Sequence, residues 1–311
     1  MQNGEKDFEI EVIIPVYKPG NELKCLLLQL QQQTKKPSRI LLVNTEEQYF
    51  DPSCIMDGMD NVTVVHIKKE EFDHGGTRHM AASMLQGAFL LFLTQDAVPA
   101  DQYLIEKLVH PFVDEQVCAA YARQLPAMDC SLLEQYTRSF NYGEVSRIKT
   151  SEDLNELGIK TFFCSNVCAM YRRSAYEELG GFERRTIFNE DMIFAGRLIK
   201  SGKAVAYCAD AKVIHSHNYS GLQQFHRNFD LGVSQAEHPE IFAGVSSESE
   251  GIRMVKKTAF WLWKKRRPDQ IPVLIWQSGW KFIGYRLGRS YQKLPKWIIR
   301  KCTMNQEYWR K

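Results

Sequence analysis

Five apolar residues in a row, Phe89-Leu90-Leu91-Phe92-Leu93, stop at Thr94-Gln95-Asp96. An unbroken apolar run of this length, with no polar alternation, reads as a strand covered on both faces. Such a strand belongs to a sheet between layers of helices. Ligands of open α/β sheets collect outside the carboxyl ends of the strands, and Asp96 stands at that end. The surrounding chain keeps the same rhythm. Residues 10–16, broken by Glu11 and ended by Pro15, read as a buried first strand, and residues 39–43 and 62–67 as further strands. Residues 21–33, with Asn21 as cap and Leu23, Leu26, Leu27 and Leu30 on one stripe, and residues 77–86 with Thr77 as cap read as helices. Residues 117–121, 167–171, 205–208 and 212–215 read as strands, and 190–201 and 222–235 as helices. Strands alternating with helices predict an α/β fold with a mostly parallel central sheet flanked by helices.

The chain has 311 residues, 44% of them hydrophobic and 25% charged, which places it among globular proteins with one large domain and an appendage. No run of about 18 apolar residues suggests a membrane span. Met1–Asp7 is polar and lacks an apolar signal core, so a cytoplasmic location is the expectation. The eight cysteines form no CxxC pair. Cys164 and Cys168, four apart on an expected strand, read as buried thiols on one face rather than a zinc site or a disulfide framework.

Several strand ends carry polar groups suited to a ligand: Pro15 and Tyr17 after the first strand, Asn44 after the second, Asp96 after the fourth. Each taken alone is equally turn chemistry; together they suit a nucleotide-sized site. The loop Phe72-Asp73-His74-Gly75-Gly76-Thr77-Arg78 precedes a helix. Two glycines allow close backbone approach, a helix N-terminus favours anions, and Arg78 offers a fixed cation to phosphate. Neither GxxxxGK[ST] nor GxGxxG occurs at these turns. Glu190-Asp191 opens an amphipathic helix, where acids complement the helix dipole and where a carboxylate can also act as a general base. His215 and His217 lie two apart at a strand end and share a face if the strand persists. With Asp96 they offer oxygen and nitrogen donors to a divalent metal.

Taken with their context, these phrases resemble family 2 of the inverting glycosyltransferases, which have the GT-A fold, and among them the bacterial rhamnosyltransferases. The matching stretches are IIPVYKPG, FDHGGTRHMAA, FLTQDAVP, FNYGEVSRIKT, GIKTFFCSNVCAMYRRSAYEELGGF, FNEDMIFAGRLI and VIHSHNYS, in consistent order over residues 9–240. The resemblance implies a base pocket lined by Pro15, Tyr17 and Asn44. It places Arg78 and the backbone of Gly75 and Gly76 at the diphosphate, and His74 and Gln95 among the substrate-binding residues. It makes Asp96 the last acid of a DxD-type motif, bound with His215 to Mg²⁺ or Mn²⁺, with His217 in reserve. It makes Asp191 the base and Glu190 its partner toward the acceptor. Two departures stand out: Asn44 replaces an Asp that many relatives use for the pyrimidine, and Thr94 replaces the first Asp of DxD. The TQD form occurs in the rhamnosyltransferase-like subset, so the implied donor is dTDP-β-L-rhamnose. The implied acceptor is a hydroxyl of a glycan or lipid-linked glycan in surface polysaccharide synthesis. A UDP-hexose donor, or a catalytically silent sugar-nucleotide-binding module, are the alternatives.

The net charge of +3 hides a split. Residues 251–311 carry 16 Lys and Arg against two acids, a net of +14, which leaves −11 for residues 1–250. All six tryptophans (Trp261, Trp263, Trp276, Trp280, Trp297 and Trp309) fall in the same stretch. The expected division is therefore a catalytic domain over 1–245 and a basic, aromatic-rich helical tail over 246–311. Tryptophan flanked by Lys and Arg suits the interface of an anionic membrane, as on the inner face of the cell membrane. Packing on the catalytic domain or on a second subunit of a homo-oligomer is the alternative. No recognition motif accompanies the charge, so nucleic acid is not expected as a partner.

Overall fold

The computed structural model describes residues 9–245 and 247–310. Met1–Asp7, and position 246 at the start of the expected tail, lie outside the described residues. The strands are β1 (Ile10–Tyr17), β2 (Arg39–Thr45), β3 (Val62–Ile67), β4 (Phe89–Leu93), β5 (Val98–Pro99), β6 (Val117–Leu125), β7 (Arg147–Lys149), β8 (Cys168–Arg172) and β9 (Ala204–Ile214). The helices of the first part are α1 (Asn21–Gln31), α2 (His74–Ser83), α3 (Leu104–Val109), α4 (Leu132–Asn141), α5 (Leu154–Leu157), α6 (Arg173–Glu178) and α7 (Glu190–Lys200). They are followed by α8 (Gly221–Glu237), α9 (Pro239–Phe242), α10 (Ser247–Lys264), α11 (Ile271–Arg289) and α12 (Lys296–Cys302).

The nine strands of the described residues join one sheet in the order β3-β2-β1-β4-β8-β6-β9-β5, with β7 on β9. The parallel expectation holds for β1 to β4. Beyond them both directions occur: β6 pairs with β9 in parallel, β8 runs antiparallel to both β4 and β6, and β5 and β7 are antiparallel to β9. The sheet is therefore mixed. Direction leaves no mark on a strand buried on both faces, because its side-chain requirements are the same either way.

Alternation along β1 and β4 shows why those runs are apolar apart from Glu11 and the terminal Tyr17. Ile10, Val12, Ile14 and Val16, with Phe89, Leu91 and Leu93, face the layer of α1 and α3. Ile13, Leu90 and Phe92 face the opposite layer of α2, α6, α7 and α9. Pro15 does not end β1, which continues to Tyr17 on β2 alone after β4 stops pairing at Ile13. A residue without an N–H is tolerated where one neighbour strand has ended. Glu11 is buried because its Oε2 accepts from the Gln86 and Gly87 amides and lies 3.4 Å from Arg173.

Two segments differ from expectation in a way that matters for the site. α2 starts at His74, capped by Asp73 rather than Thr77; the Asp73 carboxylate accepts from the Gly75 and Gly76 amides at 3.0 and 2.9 Å. The pieces expected at 205–208 and 212–215 are one strand, β9, with a register shift on β6 between Cys208 and Lys212. α1 begins at Asn21 with Gly20 at the cap position, so Asn21 is inside the helix. Cys164 precedes β8 and packs on one side of the sheet while Cys168 packs on the other, so the pair does not share a face.

The tail helices close over α8. Gly284 and Gly288 of α11 sit against the backbone of Phe225 and Phe229, where a Cβ on either would collide with a carbonyl oxygen. Phe225, Phe229 and Val233 of α8 share a core with Ile299 and Cys302 of α12, with Trp280, Leu287, Tyr291 and Trp309 packed around it.

Candidate active site

The acid pair is set by a backbone turn. Asn189 has a left-handed φ of 65°, a conformation Asn tolerates better than most residues, and α7 begins directly after it. Glu190 and Asp191 thus occupy the first helical turn. Glu190 is buried; its Oε1 lies 3.3 Å from Arg78 and accepts from the Asn166 amide group at 3.1 Å. Asp191 accepts from the Asn166 backbone N–H at 2.9 Å and from the Met192 N–H at 2.8 Å. Asn166 therefore holds both acids. Its own Oδ1 accepts from Tyr171 of β8 at 2.9 Å. Burial raises the Asp191 carboxyl above the usual carboxylate range, and the neighbouring Glu190 charge adds to this. The two backbone donors and Arg78 pull in the other direction.

The second group lies after β4 and β9. His215 Nε2 is 3.6 Å from one Asp96 oxygen and His217 Nε2 is 3.5 Å from the other. β9 ends at Ile214, so the two histidines reach Asp96 from the following loop. The three potential ligand atoms lie within 4.8 Å of one another. His215 Nδ1 is 3.2 Å from Gln124 Oε1, which orients the ring, and burial holds its imidazole neutral. Neutral imidazole beside carboxylate is a donor set that fits a divalent ion; two nitrogens in it suit Mn²⁺ better than Mg²⁺. The contacts exceed hydrogen-bond length, so these atoms are not bonded to one another.

Both groups line one cavity of about 500 Å³, together with Arg78, Arg138, Asn166, Tyr219, Arg227 and Lys281. Arg78 Nε, Thr94 Oγ1 and Asn189 Nδ2, all on residues of its wall, have no protein partner. A neighbouring cavity of about 280 Å³ shares His74, Phe188 and Arg227 with it and extends to Tyr17 and Thr45 at the ends of β1 and β2. A hollow of about 690 Å³, which shares Phe72, Asn305 and Glu307 with that second cavity, contains neither the acid pair nor the Asp96 cluster.

Asp96, His215, His217, Glu190, Asp191, Arg78 and His74 thus come together around one cleft, with Tyr17 at its far end. Others of the expected residues do not line it. Asn44 is fully enclosed, donating to Glu46 O at 3.1 Å and lying 3.0 Å from His66 Nδ1; Thr45 forms the wall in its place. Gln95 forms a brace, accepting from Tyr17 N at 2.8 Å and donating to Tyr17 O at 3.1 Å, which ties the ends of β1 and β4. Pro15 is within β1. Gly75 and Gly76 are glycines because the backbone of Glu183 and Arg184 packs where side chains would be, and their amides are already bound to Asp73. The two amides expected to face the diphosphate are thus already engaged within the protein. Arg78 donates to His74 O at 2.8 Å and faces Glu190, so it balances the acid pair. Asn166, Arg138, Arg227, Tyr219 and Lys281 escaped the sequence reading. Asn166 lies within one of the family-like phrases but in a loop without periodicity, and Lys281 arrives from the tail.

The model of the family "Glycosyl transferase family 2" matches residues 11–180. The O-antigen chain rhamnosyltransferase RfbN of Salmonella typhimurium is 40% identical over 305 residues, covering 97% of this chain and 96% of its own. The chain belongs to glycosyl transferase family 2. The O-antigen chain rhamnosyltransferase WbaN of Salmonella anatum is likewise 40% identical, over 96% of this chain and 95% of its own. Among solved structures, the glycosyltransferase is similar in fold to the mannosyltransferase PcManGT of Pyrobaculum calidifontis in complex with GDP-Man and Mn²⁺. The TM-score is 0.58 at 14% identity, covering 97% of this chain and 85% of that one. Residues 1–349 of S. aureus TarS, in complex with UDP-GlcNAc, give a TM-score of 0.52 at 15% identity, covering 92% of each chain. These likenesses bear out the GT-A architecture, with a helical C-terminal region.

Proposed function

We propose that this glycosyltransferase moves an L-rhamnosyl group from dTDP-β-L-rhamnose to a hydroxyl of a growing O-antigen glycan, with inversion at the anomeric carbon. The observation that carries this reading is the placement of Asp191 and the Asp96–His215–His217 cluster on the wall of one cavity. The names of the two 40% identical relatives supply the sugar and the polymer. Asp191 removes the proton from the acceptor hydroxyl as its oxygen attacks the anomeric carbon. The bond from that carbon to the donor diphosphate breaks, and its electron pair leaves with the diphosphate. Asn166 and Met192 hold the carboxylate in place through their N–H groups. Arg227, at the junction of the two cavities and stacked on Phe188, is the cation placed to meet the diphosphate. A Mn²⁺ or Mg²⁺ ion held by Asp96, His215 and His217 would supply positive charge at the diphosphate oxygens. The test is a panel of nucleotide sugars with Mn²⁺ and a lipid-linked glycan acceptor. Consumption of dTDP-rhamnose with an α-rhamnoside product supports the proposal. Consumption of a UDP-hexose instead replaces the donor, and no consumption of any donor overturns the enzyme reading for this site.

No helix of the described residues is long and apolar enough to cross a membrane. We further propose that the tail attaches the enzyme to an anionic bilayer. Trp261 and Trp280 pack inward on Tyr136 and Phe225, whereas Trp263 and Trp276 stay 68% and 65% exposed. Phe260, Ile275, Phe282 and Ile283 are also exposed on α10 and α11, and Lys264, Lys265, Arg266 and Arg267 flank them. Aromatic rings interleaved with cations suit a headgroup region, where each basic residue contributes about 1 kcal/mol. Co-sedimentation with phosphatidylglycerol vesicles at low salt, reduced in a Trp263→Ala/Trp276→Ala variant, is the expected result. Absence of wild-type binding overturns it.

A further inference from the structure

The cavity at the ends of β1 and β2 has an outer wall that comes from the other end of the chain. After α12 the chain leaves the helix at Thr303, and Met304, Asn305 and Glu307 line the 280 Å³ cavity together with Tyr17 and Thr45. The segment is anchored. Asp230 of α8, 3% exposed, accepts from Thr303 Oγ1 at 2.6 Å and from Met304 N at 2.9 Å. Tyr308 donates to Glu237 at 2.9 Å, and its carbonyl accepts from Arg185 at 3.1 Å. His226 contacts the Cys302 carbonyl at 2.8 Å. Five ties over the seven residues 302–308 fix the segment far more firmly than an ordinary chain end.

We propose that residues 303–307 form the outer wall of the donor nucleoside pocket, with Asn305 and Glu307 as its polar recognition groups and Met304 as its apolar one. The inference rests on the sugar-nucleotide reading above and adds a specificity element to it. Asn44, the side chain expected to meet the base, is fully enclosed with its amide N–H donating to Glu46 O, and it does not line the cavity. Tyr17 and Thr45 supply one side. Asn305 Oδ1 accepts from the Tyr308 N–H and Glu307 Oε1 accepts from Arg310, which leaves one amide nitrogen and one carboxylate oxygen for a ligand. An amide that donates and a carboxylate that accepts complement the C=O and N–H edge of a pyrimidine.

The experiment is calorimetry of dTDP with Mn²⁺ against the full chain, its Asn305→Ala/Glu307→Ala variant, Met304→Trp and Asp96→Ala. Two lost hydrogen bonds weaken dTDP binding by about tenfold or more, with donor KM raised and kcat retained. Met304→Trp, which fills the cavity from an exposed position, weakens binding with an unchanged melting temperature. Wild-type affinity in both tail variants, while Asp96→Ala loses binding, overturns the wall and leaves the sugar-nucleotide reading standing. A wild-type chain that binds no nucleotide overturns both.

Discussion

The two ends of the 500 Å³ cavity are built on opposite principles. At the acid pair, the carboxylate oxygens meet donors at 2.8 to 3.1 Å, and Asn166 bridges both residues back to Tyr171 in the sheet. At the Asp96 end, His215 and His217 stand 3.6 and 3.5 Å from the carboxylate, and Gln124 orients one ring. Buried carboxylates must be satisfied by the protein or they lose their charge. The first end therefore arrives preorganised for proton transfer. The second keeps open lone pairs that a cation and a diphosphate complete. One end is finished by folding and the other by binding.

The largest effect should come from breaking the finished end at its functional atom. Asp191→Asn preserves shape and removes the base. Turnover should fall about 10²–10⁴-fold, while calorimetry shows unchanged donor affinity. Near wild-type turnover would mean that the network around Asn166 holds an ordinary helix cap. Next comes Asp96→Ala at the open end. Metal-dependent nucleotide binding should disappear, with little change in melting temperature, because few protein contacts depend on that carboxylate. Asn166→Ala should reverse this pattern. It removes the side-chain donor to Glu190 and the acceptor for Tyr171, and denaturant unfolding should show a loss of about 1–3 kcal/mol with nucleotide binding retained. If Asp96→Ala proves the more destabilising of the two, the contrast between the ends is wrong.

The sequence discloses these ends unequally, for a physical reason. Strands buried on both faces are almost entirely apolar, so β1, β2 and β4 and the leucine stripe of α1 stand out against any background. Asp96 and the histidines were legible because they follow such strands. The antiparallel direction of β8, the two-residue β5 and the three-residue β7 leave no periodic trace. Gly75 and Gly76 looked like a phosphate loop because a glycine chosen for phosphate and one chosen to admit the Glu183 and Arg184 backbone are the same letter. Asn166 acts through one backbone N–H and one amide from an irregular loop, which no local pattern marks. Lys281 and the wall at Met304, Asn305 and Glu307 reach the cleft only through the packing of α11 and α12 on α8. The charge step near residue 250 disclosed that the tail differs, but not that it returns to the site.

The smallest and most diagnostic effect lies within the acid pair. Asp191 must be ionised to accept a proton, so activity rises as pH climbs through its pKa. That pKa is raised first by burial and then by the Glu190 charge. Glu190→Gln keeps an oxygen for the Asn166 amide and removes the charge, so the Asp191 pKa falls. Arg78, freed from its ion pair 3.3 Å away, has more positive field to spare for Asp191, which moves the pKa in the same direction. Both consequences shift the acid limb of the kcat/KM profile to lower pH. The variant should then retain a larger share of its maximal activity in mildly acidic buffer than the wild type, even if the maximum itself is lower. An acid limb that stays in place or moves upward would show that Asp191 does not set it, and the base would have to be sought elsewhere in the cleft.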